Sequence, residues 1–281
     1  MNVLTTASDL LAQRSQLIWR AGAAVTALIF LWQLPFLTDG RLDRAWTQAL
    51  YYGYILLWML LVTAFTRTIP LRTLAAFFFV GLFTVMAVDL AIARPMHRLV
   101  GGGTLASAYL GPLIEELVKP LPVLGYLAYR AWRRAWTGSA TDGLLLGYVV
   151  GAGFAIHEDA AYGRVWAEGF GRGWSMLFPT IADFRGATLP YHDVLNAAVG
   201  LALGFAFLYR RYKAAWAVPA VVWLLVLSEH VTGNLRDIGG RAPGWATFLR
   251  GLIMEGELIL PVLAAGIVVA IVLEWRILRS V

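Results

Sequence analysis

The chain contains no cysteine among its 281 residues. Thiol catalysis, disulfide bonds and a zinc site with cysteine ligands are therefore excluded. Lysine is also scarce and occurs only at Lys119 and Lys213, and histidine occurs four times. The side chains left for acid–base or metal chemistry are mainly carboxylates and these few imidazoles.

Charged residues are few as well, at 14% of the chain against 59% hydrophobic residues. Soluble domains carry about 25% charged residues, so a lipid bilayer is the expected solvent for this chain. The net charge of +6 invites a nucleic-acid interpretation. The arginines, however, cluster in short runs between apolar segments, as in loops on one membrane face. We therefore predict a membrane protein with no nucleic-acid partner.

Long apolar runs are abundant. A transmembrane helix needs about 20 apolar residues, and roughly eight runs approach that length. These runs lie at about 17–38, 49–66, 70–92, 104–130, 142–163, 190–209, 214–234 and 255–275. The sequence therefore predicts an all-α, polytopic bundle of about eight spans, formed as a single integral membrane domain by residues 1–281. The first, third and eighth runs are ordinary apolar segments, whereas the fourth to seventh contain notable ionisable groups.

The arginines indicate the orientation of the spans. Clusters follow the fourth span, at Arg130 and Arg133, and the sixth span, at Arg210 and Arg211. With eight spans, these clusters fall on the same face as both ends of the chain. Because positively charged loops remain in the cytoplasm, we predict an inner-membrane protein with cytoplasmic termini. The longest loop, about 164–189, is then extracytoplasmic.

Span four carries two adjacent carboxylates and a lysine. Glu115 and Lys119 are four residues apart, in the order favoured for an ion pair, and Glu116 points about 100° away from Glu115. Ionisable groups inside a span cost free energy, so each is a functional candidate. The alternative is a structural pair between Glu115 and Lys119, which leaves Glu116 unexplained. Three prolines are expected to bend this helix: Pro112, Pro120 and Pro122.

Spans five to seven carry further polar residues. In span five, Phe154 and Glu158 are four residues apart on one helix face, and His157 and Asp159 flank Glu158. The alternative interpretation of this run is the solvated end of a helix. In the next two spans a histidine is followed four residues later by an asparagine, at His192 with Asn196 and at His230 with Asn234.

The direction of the spans brings these residues toward one membrane face. Glu115 lies in the first half of span four, and Glu158 lies near the end of span five. His192 begins span six, and His230 lies near the end of span seven. Successive spans run in opposite directions, so these four residues fall toward the same membrane face. Their depths differ by roughly 15 Å at a rise of 1.5 Å per residue. We therefore predict one active site among spans four to seven.

Carboxylates and imidazoles are suited to activating water. A glutamate in an apolar pocket can act as a general base, and a histidine or asparagine donor can stabilise an oxyanion. The same groups can hold Zn²⁺ with one position open for water. The sequence has no GxSxG motif, and it has no HExxH motif because Ala161 stands where the second histidine would be.

The polar motifs resemble those of the PrsW family of intramembrane proteases. They are Glu115-Glu116-x-x-Lys119, Phe154-x-x-x-Glu158, His192 early in its span, and His230-x-x-x-Asn234. That family is similar to the CAAX-prenyl endopeptidases, the bacteriocin-processing proteins and the APH subunit of γ-secretase. The resemblance implies a polar catalytic core at 104–234. It also implies hydrolysis of a peptide bond in a membrane-associated protein or peptide, such as an anti-sigma factor, at the extracytoplasmic face.

The resemblance implies roles for individual residues. Glu115 is expected to activate the water, and Asn234 to donate a hydrogen bond to the oxyanion. Lys119 is expected to neutralise a glutamate, and Phe154 to support the site. The residues expected to contact the water or to bind Zn²⁺ are Glu116, Glu158, His192 and His230. A metal-free, glutamate-dependent mechanism is the alternative to a metalloprotease.

Two functions of other classes also fit the pattern. Buried glutamates and histidines suit the relay of a proton- or cation-coupled transporter, although these groups gather near one face. A non-catalytic membrane scaffold is the second alternative, because the γ-secretase relative has no proteolytic activity of its own.

Overall fold

The computed structural model describes residues 42–101, 103–133, 139–162, 180–184, 187–190 and 192–279. Four helices within these ranges are long and apolar enough to cross a membrane: Leu71–Leu99, Ala140–Ala160, Lys213–Asp237 and Ile259–Arg279. They correspond to the predicted spans three, five, seven and eight, and they support an integral membrane protein. The predicted first span, 17–38, lies outside the described residues.

The described part of the chain is mainly helical, with one short hairpin and the turns that join the helices. The helices, in chain order, are α1 Leu42–Val62, α2 Leu71–Leu99, α3 Thr104–Val118, α4 Leu121–Trp132, α5 Ala140–Tyr162, α6 His192–Leu208, α7 Ala217–Asp237, α8 Gly244–Leu252 and α9 Ile259–Arg279. Short 3₁₀ turns at Lys213–Trp216 and Met254–Gly256 precede α7 and α9. Strands β1 Thr180–Phe184 and β2 Ala187–Pro190 pair antiparallel within the predicted long loop.

Three of the predicted spans are not long continuous helices in the structure. The predicted fourth span is two helices, α3 and α4, because the chain turns at Lys119 and Pro120. Pro120 lacks the N–H that would continue the helical hydrogen bonds. The sixth span is α6, which has 17 residues, and the apolar part of the second is Ala49–Val62. The count of eight spans therefore stays a prediction.

Helix α5 lies at the centre of the bundle. Its apolar window is completely buried, as expected for a helix that is apolar on every side. A Cβ atom added at Gly143 would lie 2.2 Å from Gly200 O, and one at Gly147 would lie 2.3 Å from Asn196 O. The backbones of α5 and α6 are therefore in direct contact, as small residues allow in membrane proteins. This contact fixes His192, at the start of α6, against the end of α5.

Two carboxylates bind backbone N–H groups, one just before α2 and the other at the start of α5. Asp142 accepts hydrogen bonds from the Thr68 N–H (2.7 Å) and the Ile69 N–H (3.2 Å). Glu274 of α9 accepts from the Thr141 N–H (3.0 Å) and the Thr141 hydroxyl (2.6 Å). Thr141 lies in the first turn of α5, where the N–H groups have no partner inside the helix, so Glu274 supplies one. Asp142 instead holds the connection that precedes α2. The eighth apolar run, which the sequence predicts to be an ordinary span, thus carries a structural carboxylate.

Helix α2 changes its winding in the middle. Residues Val80–Val85 form a π-helical segment, which is rare and frequently found at functional sites. This segment packs on α5, because a Cβ atom at Gly153 would lie 2.3 Å from Phe78 O and 2.7 Å from Leu82 N. The part of α2 after the π segment leads to the region where α3, α5 and α7 meet.

Candidate active site

The two adjacent glutamates of α3 point in different directions. They lie in the last turn of the helix, directly before the break at Lys119 and Pro120. Neighbouring residues of a helix are rotated by about 100°, so the two carboxylates have different surroundings. Glu116 is completely buried, whereas Glu115 lines a cavity.

Glu116 is held by three other side chains. The Lys119 ammonium donates to Glu116 Oε1, and His230 Nδ1 lies 2.8 Å from the same oxygen. The indole N–H of Trp223 donates to the backbone carbonyl of Glu116 (2.7 Å). A carboxylate on one ring nitrogen of a histidine fixes the orientation of the ring. Glu116 therefore positions His230 and is neutralised by Lys119.

His192 lies between a lysine and a glutamate. Its Nδ1 lies 3.0 Å from Lys119 Nζ, and its Nε2 lies 2.7 Å from Glu158 Oε2. The Phe154 ring packs edge-on against His192, with ring centroids 5.4 Å apart, and Lys119 Nζ lies 4.9 Å from the centre of the Phe154 ring. Phe154 and Glu158, one turn apart on α5, thus both contact His192.

His230 joins this group to Glu115. His230 Nε2 lies 3.7 Å from Glu115 Oε2, and the His192 and His230 ring centroids are 4.7 Å apart. Lys119 Nζ is 3.8 Å from Glu115 Oε2. The structure thus brings together the residues whose convergence the alternating spans predict.

A cavity of about 660 Å³ gives access to this cluster. Glu115, Glu158 and Asn234 line it, and its walls come from α2, α3, α5 and α7. Asn234 lies on the same face of α7 as His230, one turn further along. Two carboxylates and an amide therefore face a space large enough for a peptide segment.

Other polar residues of the predicted spans lie outside the cluster. The interpretation of 157–159 as a solvated helix end is wrong, since His157 is 6% exposed and Asp159 is fully buried. Asn196 donates from Nδ2 to Gly147 O (2.8 Å), so it joins α5 and α6 instead of facing the cavity. Asp89, in the predicted ordinary third run, lines the cavity. A single aspartate inside an apolar run was the available signal for it.

Glu115, His192 and His230 form a group that fits a metal ion. One ligand atom of each lies within 4.8 Å of those of the other two. Glu115 Oε2 is buried and makes no hydrogen bond within the described part of the chain, so it is available as a ligand. One carboxylate with two imidazoles is a donor set of catalytic zinc sites.

This group differs from the predicted set of metal ligands. Glu115 replaces Glu116, whose Oε1 bonds to Lys119 and contacts His230 Nδ1. Glu158 contacts His192 Nε2 and remains on the cavity wall. The first glutamate of the pair thus faces the open space, and the second lies behind the histidine.

The geometry is that of a membrane protein with a glutamate–histidine centre next to an open cavity. The sequence profile described as PrsW family intramembrane metalloprotease matches residues 55–236. The match covers more than half of the chain, so the chain belongs to this family. No curated protein and no solved structure matches the chain. Membership supports a protease of the metalloprotease type that acts on a membrane-associated substrate. The roles of individual residues stay predictions.

Substitution of Lys119 tests whether this lysine stabilises the fold by neutralising Glu116. We expect Lys119→Met to lower the free energy of unfolding by about 3 kcal/mol, because it leaves the buried Glu116 carboxylate without its cation. Thermal or denaturant unfolding of the purified protein in detergent measures this change. The control is Lys213→Met, which removes the other lysine at an exposed position. Equal stability of the two variants would contradict the assignment.

Proposed function

We propose that the chain is an endopeptidase that hydrolyses a peptide bond of a membrane-associated protein, with Glu115 activating the water. The observation that carries the proposal is the convergence of Glu115, Glu158, His192 and His230 beside one cavity within a bundle of apolar helices. Ionisable groups in such helices cost free energy and mark functional sites.

The proposed chemistry uses the free oxygen of Glu115. As the water oxygen bonds to the scissile carbonyl carbon, Glu115 Oε2 accepts a proton from the water and the carbonyl oxygen becomes an oxyanion. The carbonyl double bond then re-forms while the C–N bond breaks. The proton on Glu115 passes to the leaving nitrogen, so one peptide and one water give an acid and an amine.

Three other groups support this reaction. Asn234 faces the same cavity, and its side-chain amide donates to the developing oxyanion. Glu116 orients His230 through Nδ1, which leaves Nε2 directed at Glu115. Glu158 contacts Nε2 of His192 from the cavity wall, and Lys119 Nζ lies 3.0 Å from Nδ1 of the same ring. These contacts therefore fix the two imidazole rings before the substrate enters.

In the metal-dependent alternative, a divalent ion would be held by Glu115, His192 and His230, so Glu115 would be a ligand instead of the base. To bind the ion, His192 would exchange its contact with Glu158 or Lys119 for it. When bound, the ion would polarise the water and the scissile carbonyl as a Lewis acid. With Glu115 as a ligand, Glu158 is the carboxylate that remains on the cavity wall to accept the proton. The family description as a metalloprotease and the free Glu115 oxygen both support zinc.

Zinc content tests this assignment. We expect the purified wild-type chain to retain about one Zn²⁺ per molecule, measured by plasma mass spectrometry after dialysis. The double variant His192→Ala/His230→Ala is expected to retain none, because two of the three ligands are removed. His97→Ala, at the one histidine outside the predicted polar spans, is the control and should retain the metal. Equal zinc content in the wild-type and double-variant proteins would contradict the site.

The location of the reaction follows from the predicted orientation. With cytoplasmic termini in the inner membrane, the end of α2 and the start of α3 lie on the extracytoplasmic side. Arg94 and Arg98 line the cavity near that end. The proposed substrate is a membrane-anchored protein of the anti-sigma factor class, cut near this face.

Membrane N termini provide the test of the function. Peptides with new N termini are sequenced by mass spectrometry from membranes of cells that contain the chain and of cells that lack it. We expect a cut in a membrane-anchored protein that disappears with the chain. Identical N termini in both membranes would contradict protease activity. Ion flux through proteoliposomes, lost in Glu116→Gln, would indicate the transporter alternative. A functional complex that tolerates Glu115→Ala would indicate the scaffold.

A further inference from the structure

Four carboxylates line the cavity, those of Asp89, Glu115, Glu158 and Asp237, and Asp89 is the one from α2. Asp89 precedes the end of α2, at Leu99, by ten residues, and Glu115 follows the start of α3, at Thr104, by eleven. Because α2 and α3 are joined by a short connection, both carboxylates lie about 15 Å below it at 1.5 Å per residue. Asp89 is therefore at the depth of the reaction centre.

Asp89 is buried, and one of its carboxylate oxygens has no hydrogen-bond partner among the described residues. Its residue is 6% exposed, and its buried Oδ1 accepts no hydrogen bond from any described residue. Lys119 instead donates to Glu116 and contacts His192. An unpaired buried acceptor destabilises a fold, so a residue of this kind indicates a role other than stability.

The winding of α2 determines where Asp89 points. The π segment Val80–Val85 ends less than two turns before Asp89. A residue added to a helix rotates everything after it by about 100°. The π segment is held against α5 by the close contact at Gly153. The presentation of Asp89 to the cavity therefore depends on a defined local distortion of the helix.

We propose that Asp89 binds the substrate by accepting a hydrogen bond from a main-chain N–H next to the scissile bond. The inner cavity wall offers the carboxylates of Asp89, Glu115 and Glu158, so its complement is a hydrogen-bond donor. An extended peptide presents one N–H per residue and supplies such donors on both sides of the bond to be cut. Asp89 is then a substrate-positioning residue on the α2 wall of the cavity, and this assignment rests on the proposed protease function.

Binding in a chain with Glu115→Gln tests Asp89 without turnover. The probe is a synthetic peptide of the sequence found to be cut in membranes, and its dissociation constant is measured with the full chain in detergent. Adding Asp89→Leu is expected to weaken binding at least about tenfold. Asp89→Asn retains an acceptor oxygen and should stay within about threefold of the parent. The control Glu257→Leu, at an exposed position, should bind like the parent.

Several outcomes would overturn the proposal. One is equal binding by the parent and the Asp89→Leu form. Another is an Asn form as weak as the Leu form, because a need for charge would indicate a bound cation or a proton transfer. A peptide that is N-methylated at the contacted position lacks the N–H that Asp89 would bind. The parent should bind this peptide weakly, whereas the Asp89→Leu form should bind it no more weakly than it binds the unmodified peptide.

Stability provides a readout that needs no substrate. If the unpaired oxygen is present for function, Asp89→Leu should unfold at the same temperature as wild type or higher. A clear fall in the unfolding temperature would show a structural role and overturn the proposal. Undiminished cleavage by Glu115→Gln, in contrast, would refute the proposed mechanism and leave the peptide-binding result for Asp89 as a separate finding.

Discussion

Glu115→Gln is expected to lower the cleavage rate at saturating substrate by about 10²- to 10⁴-fold, the usual contribution of a general base. The amide can neither accept the proton of the water nor serve as an anionic metal ligand. Glu115 Oε2 makes no hydrogen bond within the described residues, so the fold should tolerate the change. The rate is measured as product formed from the identified substrate, with the variant in detergent micelles.

The same substitution at an exposed glutamate is the control for Glu115. Glu257→Gln removes a carboxylate from the surface and should cleave at the wild-type rate. Zinc content distinguishes a metal ligand from a general base. Loss of zinc in Glu115→Gln indicates that Glu115 is a ligand, and retained zinc indicates that it is a base. A Glu115→Gln chain with more than half of the wild-type rate would contradict both roles.

Gly147→Leu is expected to prevent folding, with a loss of more than about 4 kcal/mol, the range reached by severe core changes. A Cβ atom at this position would lie 2.3 Å from Asn196 O, and backbone cannot move aside as a flexible side chain can. Separation of α5 from α6 would also break the hydrogen bond from Asn196 to Gly147 O and move Glu158 away from His192. Size-exclusion profiles and thermal unfolding in detergent measure the effect.

Gly125→Leu is the matched control for this change. Gly125 is also helical, on α4, but a Cβ atom there would meet nothing within 4 Å. The control variant should elute and unfold like the wild type. If the two leucine variants were equally stable, the close contact of α5 and α6 would not be required for the fold.

The convergence of the site could be predicted from sequence because two regularities determine it. Spans alternate in direction, and each residue of a helix advances by 1.5 Å, so Glu115, Glu158, His192 and His230 had to approach one membrane face. The contacts between Glu158 and His192 and between Glu115 and His230 agree with that depth argument.

The rotation of each helix about its own axis could not be predicted in the same way. Glu115 and Glu116 are adjacent, so a rotation of about 100° exchanges their surroundings. The sequence therefore predicts Glu116 and Glu158 as the carboxylate ligands, whereas the structure groups Glu115 with the two histidines. Lys119 adds to the difficulty, because helical spacing brings it within reach of both glutamates, three residues after Glu116 and four after Glu115.

Two further features are visible in the sequence, but their contacts depend on which helices pack against them. Gly143, Gly147 and Gly151 follow each other at intervals of four, the spacing of close helix contacts in membranes, but the spacing does not identify α6 as the partner. Asp89 is a lone acid in an apolar run, and only the packing of α2 beside α3 places it on the cavity. Partners distant in the chain are set by tertiary packing.

Reconstitution of the purified chain with its substrate tests the central claim most directly. The full chain and the identified membrane-anchored protein are placed in liposomes with no other protein, and the products are sequenced. The wild-type chain is predicted to cut one bond, and the chain with Glu115→Gln is predicted to leave the substrate intact. An intact substrate with the folded wild-type chain, or cleavage at an equal rate by both chains, would contradict a protease centred on Glu115.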